Sequence, residues 1–125
     1  MDTTTTDLHA EATRKDIHAL VSELNEGVST AVVQAITGAK DRGRPVQWAS
    51  PDGPSPRADA EQRLRLAYRV WTELKAAEGS NVALAWLVGA NPLLEERTPV
   101  SVIRDLDALA VVGAVAAFID GAAAA

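Results

Sequence analysis

The chain of 125 residues contains no cysteine and few aromatic residues, 4% in all. The lack of cysteine excludes disulfide scaffolds, thiolate zinc sites and cysteine nucleophiles, and it fits a reducing compartment. Long apolar runs are also missing: the longest, 108–119, has 12 residues, whereas about 20 are needed to span a bilayer. Residues 1–7 are polar and do not form a secretory signal. We therefore expect a cytoplasmic protein with no membrane contact.

Recognisable catalytic patterns are scarce as well. The two histidines, His9 and His18, are nine positions apart and fall on different helix faces. No zinc-ligand spacing, nucleophile-elbow motif or glycine-rich phosphate loop is present. A small enzyme would need Asp105, Asp107 and Asp120 to line one cleft. We predict no catalytic residue, no metal and no cofactor, and hence a protein that is not an enzyme.

What the sequence does contain is helical periodicity. The composition is ordinary for a folded protein, with 47% apolar and 23% charged residues, and no stretch alternates in the manner of a strand. The predicted class is all-α, with an N-terminal helix-turn-helix region and a small C-terminal helical domain. The predicted parts are a flexible tail over 1–14, a helix-turn-helix region over 15–56 and a C-terminal domain over 57–125. Helices are predicted over about 9–25, 30–37, 42–49, 58–77, from 80 or 81 onward, 92–96, 99–106 and 107–119.

Prolines mark several of these boundaries. Residues 50–56 hold three prolines and a glycine, which predicts a loop between the two halves. In Asn91-Pro92 and Thr98-Pro99 a capping side chain precedes a proline at the first helical position. That arrangement predicts two helix starts.

Residues 29–49 have the pattern of a helix-turn-helix, with two short helices around Gly38. In such a unit the second helix enters the major groove of DNA. Arginine can pair with guanine and glutamine with adenine, while lysine and the downstream arginines can contact phosphates. A plain helical hairpin with a solvated basic face is the alternative. The predicted DNA-binding residues are Lys40, Arg42, Arg44 and Gln47.

Charge is divided along the chain. Residues 40–69 hold seven basic and four acidic residues, a net charge of +3, whereas residues 70–125 hold three basic and seven acidic residues, a net charge of −4. The final helix is apolar around most of its circumference, so it is either buried or covered by a partner. Two partners of different chemistry are indicated.

The order of motifs resembles the Xre-type antitoxins of RES/Xre toxin–antitoxin pairs, over about residues 15–121. The matching elements are the helix-turn-helix ending in Trp48 and Gly53, then Arg63-Leu64-Arg65-Leu66-Ala67-Tyr68, Trp86-Leu87, Asn91, Leu94, Pro99, Val102-Ile103 and Phe118-Ile119-Asp120-Gly121.

The resemblance implies a type II antitoxin that covers the substrate cleft of a RES-domain, NAD-consuming toxin. It also implies that the antitoxin represses its own operon by binding operator DNA, as a homodimer and as a toxin–antitoxin hetero-oligomer. The alternative is a stand-alone helix-turn-helix regulator whose C-terminal half only dimerises. The residues expected to contact the toxin are Pro99, Val102, Arg104, Val115, Phe118, Ile119, Gly121 and Ala122.

Overall fold

The computed structural model describes residues 3–124, and within this range the chain forms eight α-helices, one 3-10 turn and no strand. The predicted all-α class is therefore confirmed. The elements are α1 (Thr3–Arg14), α2 (Ile17–Val28), α3 (Thr30–Thr37), α4 (Arg44–Ala49), α5 (Ala58–Glu78), α6 (Ser80–Val88), the 3-10 turn Pro92–Leu94, α7 (Pro99–Arg104) and α8 (Ala108–Ala124).

The N-terminal segment departs from the prediction of a flexible tail over 1–14. From Thr3 onward it is helical, and Ala12 of α1 is buried. Its last carbonyls are satisfied by α5, because the Arg65 guanidinium donates to the oxygens of Ala12 (3.0 Å) and Lys15 (2.8 Å). This tertiary contact, which the polar sequence of the segment does not reveal, stabilises the end of α1.

Two pairs of helices are joined by a single residue each. Ser29 connects α2 to α3 and Gly79 connects α5 to α6, with φ of 92° and 87°. This is a conformation that glycine adopts readily and that strains a residue with a Cβ. Ser29 offsets part of its strain because its hydroxyl accepts a hydrogen bond from the amide of Val32 (3.3 Å).

Helix α5 is the centre of the core. Its apolar stripe is buried, with Leu64 and Leu74 fully covered. Trp71 packs closely against α2 at Gly27, where an added Cβ would stand 2.6 Å from the indole ring. The buried residues on both sides of the 50–57 loop form one hydrophobic cluster. The regions predicted over 15–56 and 57–125 therefore share a single core.

A polar network fastens α1 and α2 to α5. The Tyr68 hydroxyl donates to Glu23 (2.7 Å) and Glu11 (3.2 Å), and Lys15 pairs with Glu23 at 3.1 Å. Burial of the phenol, with these carboxylates beside it, raises the pKa of Tyr68. Burial alone would raise the pKa of Glu23, but the hydrogen bond from Tyr68 and the pairing with Lys15 outweigh it and lower that pKa below 4.5.

The two helix starts predicted at Asn91-Pro92 and Thr98-Pro99 are both present. Asn91 Oδ1 accepts from the amide of Leu93 (2.9 Å), and Thr98 Oγ1 accepts from that of Ser101 (3.1 Å). Helix α8 is longer than predicted, since it continues through Gly121 to Ala124. The reason is that alanine has the highest helix propensity, and here it outweighs one glycine.

Candidate functional site

An apolar groove of about 350 Å³ opens between α6, the 3-10 turn and α8. Trp86 and Phe118 form its floor, with ring centroids 6.1 Å apart. Leu93 stands at its edge with 65% of its surface exposed. We call this cavity the Trp86 groove; its walls include Ala114 and Ala117 of α8.

One side of α8 faces away from the protein. Leu109 is 90% exposed, and small residues continue the same side of the helix. A Cβ added at Gly113 or Gly121 would meet nothing within 4 Å. We call this surface the α8 face; it consists of Leu109, Gly113, Ala116, Ala117 and Gly121, and it includes one exposed carboxylate, Asp120, near its C-terminal end.

The α8 face and the Trp86 groove are continuous, because Ala117 belongs to both. Residues 113, 117 and 121 are spaced four apart, which aligns them along one side of a helix. The buried side of α8 carries Val111 and Val115. One side of α8 is therefore buried against its own protein, and the other side leaves an apolar surface exposed to solvent.

The predicted toxin-contacting residues divide into two groups. Pro99, Val102 and Val115 are buried in the core, so their expected contact with a toxin is corrected: they support the surface from beneath because their side chains pack inward. Arg104, Gly121 and Ala122 are exposed, and Phe118 and Ile119 are half-buried.

Two carboxylates stand beside the groove on a tight turn. Glu95 and Glu96 follow the 3-10 turn with φ of 59° and 65°, and both are exposed. Non-glycine residues seldom adopt this left-handed conformation. The turn is closed by hydrogen bonds from the amides of Leu94 and Glu96 to the Asn91 oxygen, both 2.9 Å.

The predicted DNA-binding residues lie together at the α3–α4 turn and on α4. Lys40, Arg42, Arg44 and Gln47 are all exposed. Helix α4 begins at Arg44 rather than at the predicted position 42, because Pro45 is suited only to the first helical turn.

Helix α4 is held to α2 by two polar contacts. The amide of Asn25 donates to the Pro45 oxygen (3.0 Å), and the His18 ring lies 2.8 Å from the Trp48 oxygen. Pro45 and Trp48 are buried, so the helix is fixed on one side. The other side presents Arg44 and Gln47, whose side chains bond to each other at 3.0 Å.

Three downstream arginines that the sequence offered as phosphate contacts are engaged within the protein. Arg63 donates to the oxygens of Arg104 (2.7 Å) and Thr37 (3.1 Å), the ends of α7 and α3. Arg65 caps α1, and Arg69 pairs with Glu73 at 3.3 Å. The charges of Arg63 and Arg65 thus join the ends of other helices to α5, whereas that of Arg69 is paired within α5.

No three histidine or acidic side chains come together to form a metal site in the described part of the chain. Of the three carboxylates considered for catalysis, Asp105 pairs with Arg97 (3.5 Å), Asp107 accepts from the amide of Ala110 (3.2 Å), and Asp120 is exposed on α8. Across residues 3–124, no helix has both the length and the hydropathy required to cross a bilayer.

Sequence reasoning missed the surface positions of Trp86 and Leu93. Most tryptophans of a small domain lie in its core, yet Trp86 is half-buried and lines the groove. Leu93 and Leu94 are adjacent in a short turn, so only one of the two side chains can point inward. The sequence could therefore have predicted that one of these leucines is exposed. Of the downstream arginines in residues 57–69 that were offered as phosphate contacts, Arg57, just before α5, is the one that is exposed in the described part of the chain.

Comparison with protein-family models, with curated proteins and with solved structures finds no match to this chain. The resemblance to Xre-type antitoxins therefore rests on the ordered residues quoted above.

Proposed function

We propose that this chain is the antitoxin of a type II toxin–antitoxin pair, and that it neutralises a RES-domain, NAD-consuming toxin by covering the toxin's substrate cleft. The observation that carries the proposal is the open apolar surface of α8, with Leu109 90% exposed and the Trp86 groove beside it. Contiguous exposed apolar surface of this kind is typical of an interaction site. The toxin would cover the α8 face, with the exposed Gly121 and Ala122 near the cleft opening.

Charge supports this assignment. An enzyme that binds the phosphates of NAD is expected to have a basic cleft, and residues 70–125 carry a net charge of −4. Opposite charge across an interface raises the association rate and rejects wrong partners more than it adds affinity. Glu95 and Glu96 place two of these charges near the groove.

The exposed basic residues of the α3–α4 turn support a second role, binding of operator DNA by Lys40, Arg42, Arg44 and Gln47. We propose that the toxin–antitoxin complex represses its own operon through this surface. The two surfaces are built on different elements, α8 and α4.

The proposal predicts that a RES-domain enzyme is encoded beside this chain, and co-expression of the two tests it. Wild type is expected to restore growth and to purify as a complex with the toxin. Ala116→Arg places a long charged side chain on the α8 face and should abolish both. Ala76→Arg makes the same change at an exposed position of α5 and should have no effect. A toxin that still kills beside wild type, or equal behaviour of the two variants, would contradict the proposal.

The alternative, a stand-alone regulator, is favoured by one observation. Gly113, Ala117 and Gly121 recur every four residues on open surface, and small residues at this spacing let two helices approach closely. In that case α8 would pair with α8 of a second copy. A regulator of this kind forms a homodimer and captures no toxin, whereas the antitoxin yields a heteromeric complex.

A further inference from the structure

A second cavity, of about 520 Å³, lies between the end of α3, helix α4 and the start of α5. Four basic side chains line it: Lys40, Arg44, Arg57 and Arg63. We call it the basic groove. Arg57 comes from the far side of the proline-rich loop, so the groove joins two segments that are separate in the sequence.

The acidic residues of this groove are already engaged. Asp41 Oδ1 accepts a hydrogen bond from the amide of Gly43 (2.8 Å), and Asp59 lies 3.5 Å from Arg63. Arg63 is in turn held by backbone carbonyls. In the described part of the chain, Lys40 and Arg57 have no acidic partner within ion-pair distance, and the only side-chain hydrogen bond of Arg44 is to neutral Gln47.

The geometry of α4 limits base reading. The helix has six residues, and two of them, Pro45 and Trp48, face the core. Gln47 can pair with adenine only if its oxygen and its amide group are both free. Its Oε1 accepts from Arg44 Nη1, which engages the Gln47 oxygen but leaves the other N–H donors of Arg44 free for a phosphate.

We infer that the basic groove binds the phosphodiester backbone of duplex DNA, with Arg57 joining Lys40 and Arg44 as a phosphate contact. This inference rests on the DNA-binding part of the proposed function and specifies what the groove contributes: charge recognition of phosphates, with selection of the operator left to Arg42, which does not line the groove. Guanidinium groups pair with phosphate oxygens in a bidentate manner, which suits Arg44 and Arg57. Contacts of this kind position a protein on DNA without reading its sequence.

Fluorescence anisotropy with a labelled duplex tests the inference, using one duplex from the operon's promoter and one of scrambled sequence. Wild type should bind both, with log K falling against log salt by about 0.9 for each phosphate contacted. Arg57→Gln should weaken binding to both duplexes by the same factor and make the salt slope shallower by about 1. Lys75→Gln removes one charge at an exposed site outside the groove and should change neither.

Three results would overturn the inference. One is an Arg57→Gln variant that binds both duplexes with the wild-type affinity and salt slope. Another is an Arg57→Gln variant that loses only the promoter duplex, which would mean base readout. The third is poly-glutamate competing as well as unlabelled duplex at equal charge, which would make the groove a site for acidic protein. Toxin capture is measured separately, so it can stand when this inference fails.

Discussion

Replacing Arg63 with methionine tests how the helices are held together. The guanidinium group of Arg63 donates to the last carbonyls of both α3 and α7, at 3.1 and 2.7 Å, and its side chain is 24% exposed. Methionine keeps an unbranched apolar stem and a similar helix propensity but donates no hydrogen bond. Hydrogen bonds from charged donors contribute about 1.5–3 kcal/mol each when buried. Water can reach part of this site, so we expect a loss of about 2–3 kcal/mol for the two together.

Arg69→Met on the same helix is the matched control. Arg69 makes a pair with Glu73 four residues along, and such pairs contribute about 0.3–0.5 kcal/mol. Urea unfolding followed by circular dichroism measures both variants. In a domain of this size, about 3 kcal/mol lowers the Tm by about 10 °C. Equal losses in the two variants would refute the claim that Arg63 caps two helices.

Three further predictions concern stability and binding. Ser29→Gly should stabilise the chain by about 1 kcal/mol, because the relief of backbone strain exceeds the loss of the cap and the added entropy of the unfolded chain. Gly79→Ser should destabilise the chain, because it puts a side chain at a positive φ. Thermal unfolding should show a raised Tm for the first variant and a lowered Tm for the second. Leu109→Ala should leave the Tm unchanged, since this side chain is 90% exposed. It should weaken toxin binding at least about tenfold, because the proposed complex buries the side chain. Calorimetric titration measures the change in affinity. The pKa of Glu23 is lower in the folded chain than its ordinary value, so the ionised carboxylate stabilises the fold above pH 4.5 and this stabilisation is lost as the pH falls through the lowered pKa. Tyr68→Phe removes the hydrogen bond to Glu23. Between about pH 6 and 3, the free energy of unfolding in urea should therefore fall less in this variant than in wild type.

Local signals account for the parts of the fold that the sequence predicted well. The proline caps at Asn91 and Thr98 act over three residues, and α3 ends at Gly38 in the left-handed conformation as expected. Helix α5 matches its apolar stripe within one residue of the predicted end. These features depend on neighbours in the chain, which a sequence displays directly.

Features that depend on distant residues were missed. Helix α1 is stabilised by Arg65, 50 residues beyond the end of the segment at Lys15, so its polar sequence suggested a tail. Trp86 lies at the surface because α8 leaves a groove beside it. The candidate toxin contacts were chosen because they lie in the C-terminal segment of the chain, not by which face of the helix they occupy. Such a choice cannot separate Val115, which is buried, from its neighbour Ala116, which is exposed.

The most direct test of the central claim is a titration of the purified RES-domain toxin with this chain, with NAD consumption as the readout. The account predicts stoichiometric inhibition by wild type, loss of inhibition by Ala116→Arg and full inhibition by Ala76→Arg. Undiminished NAD consumption at saturating wild type, or equal inhibition by all three chains, would contradict the role proposed for α8.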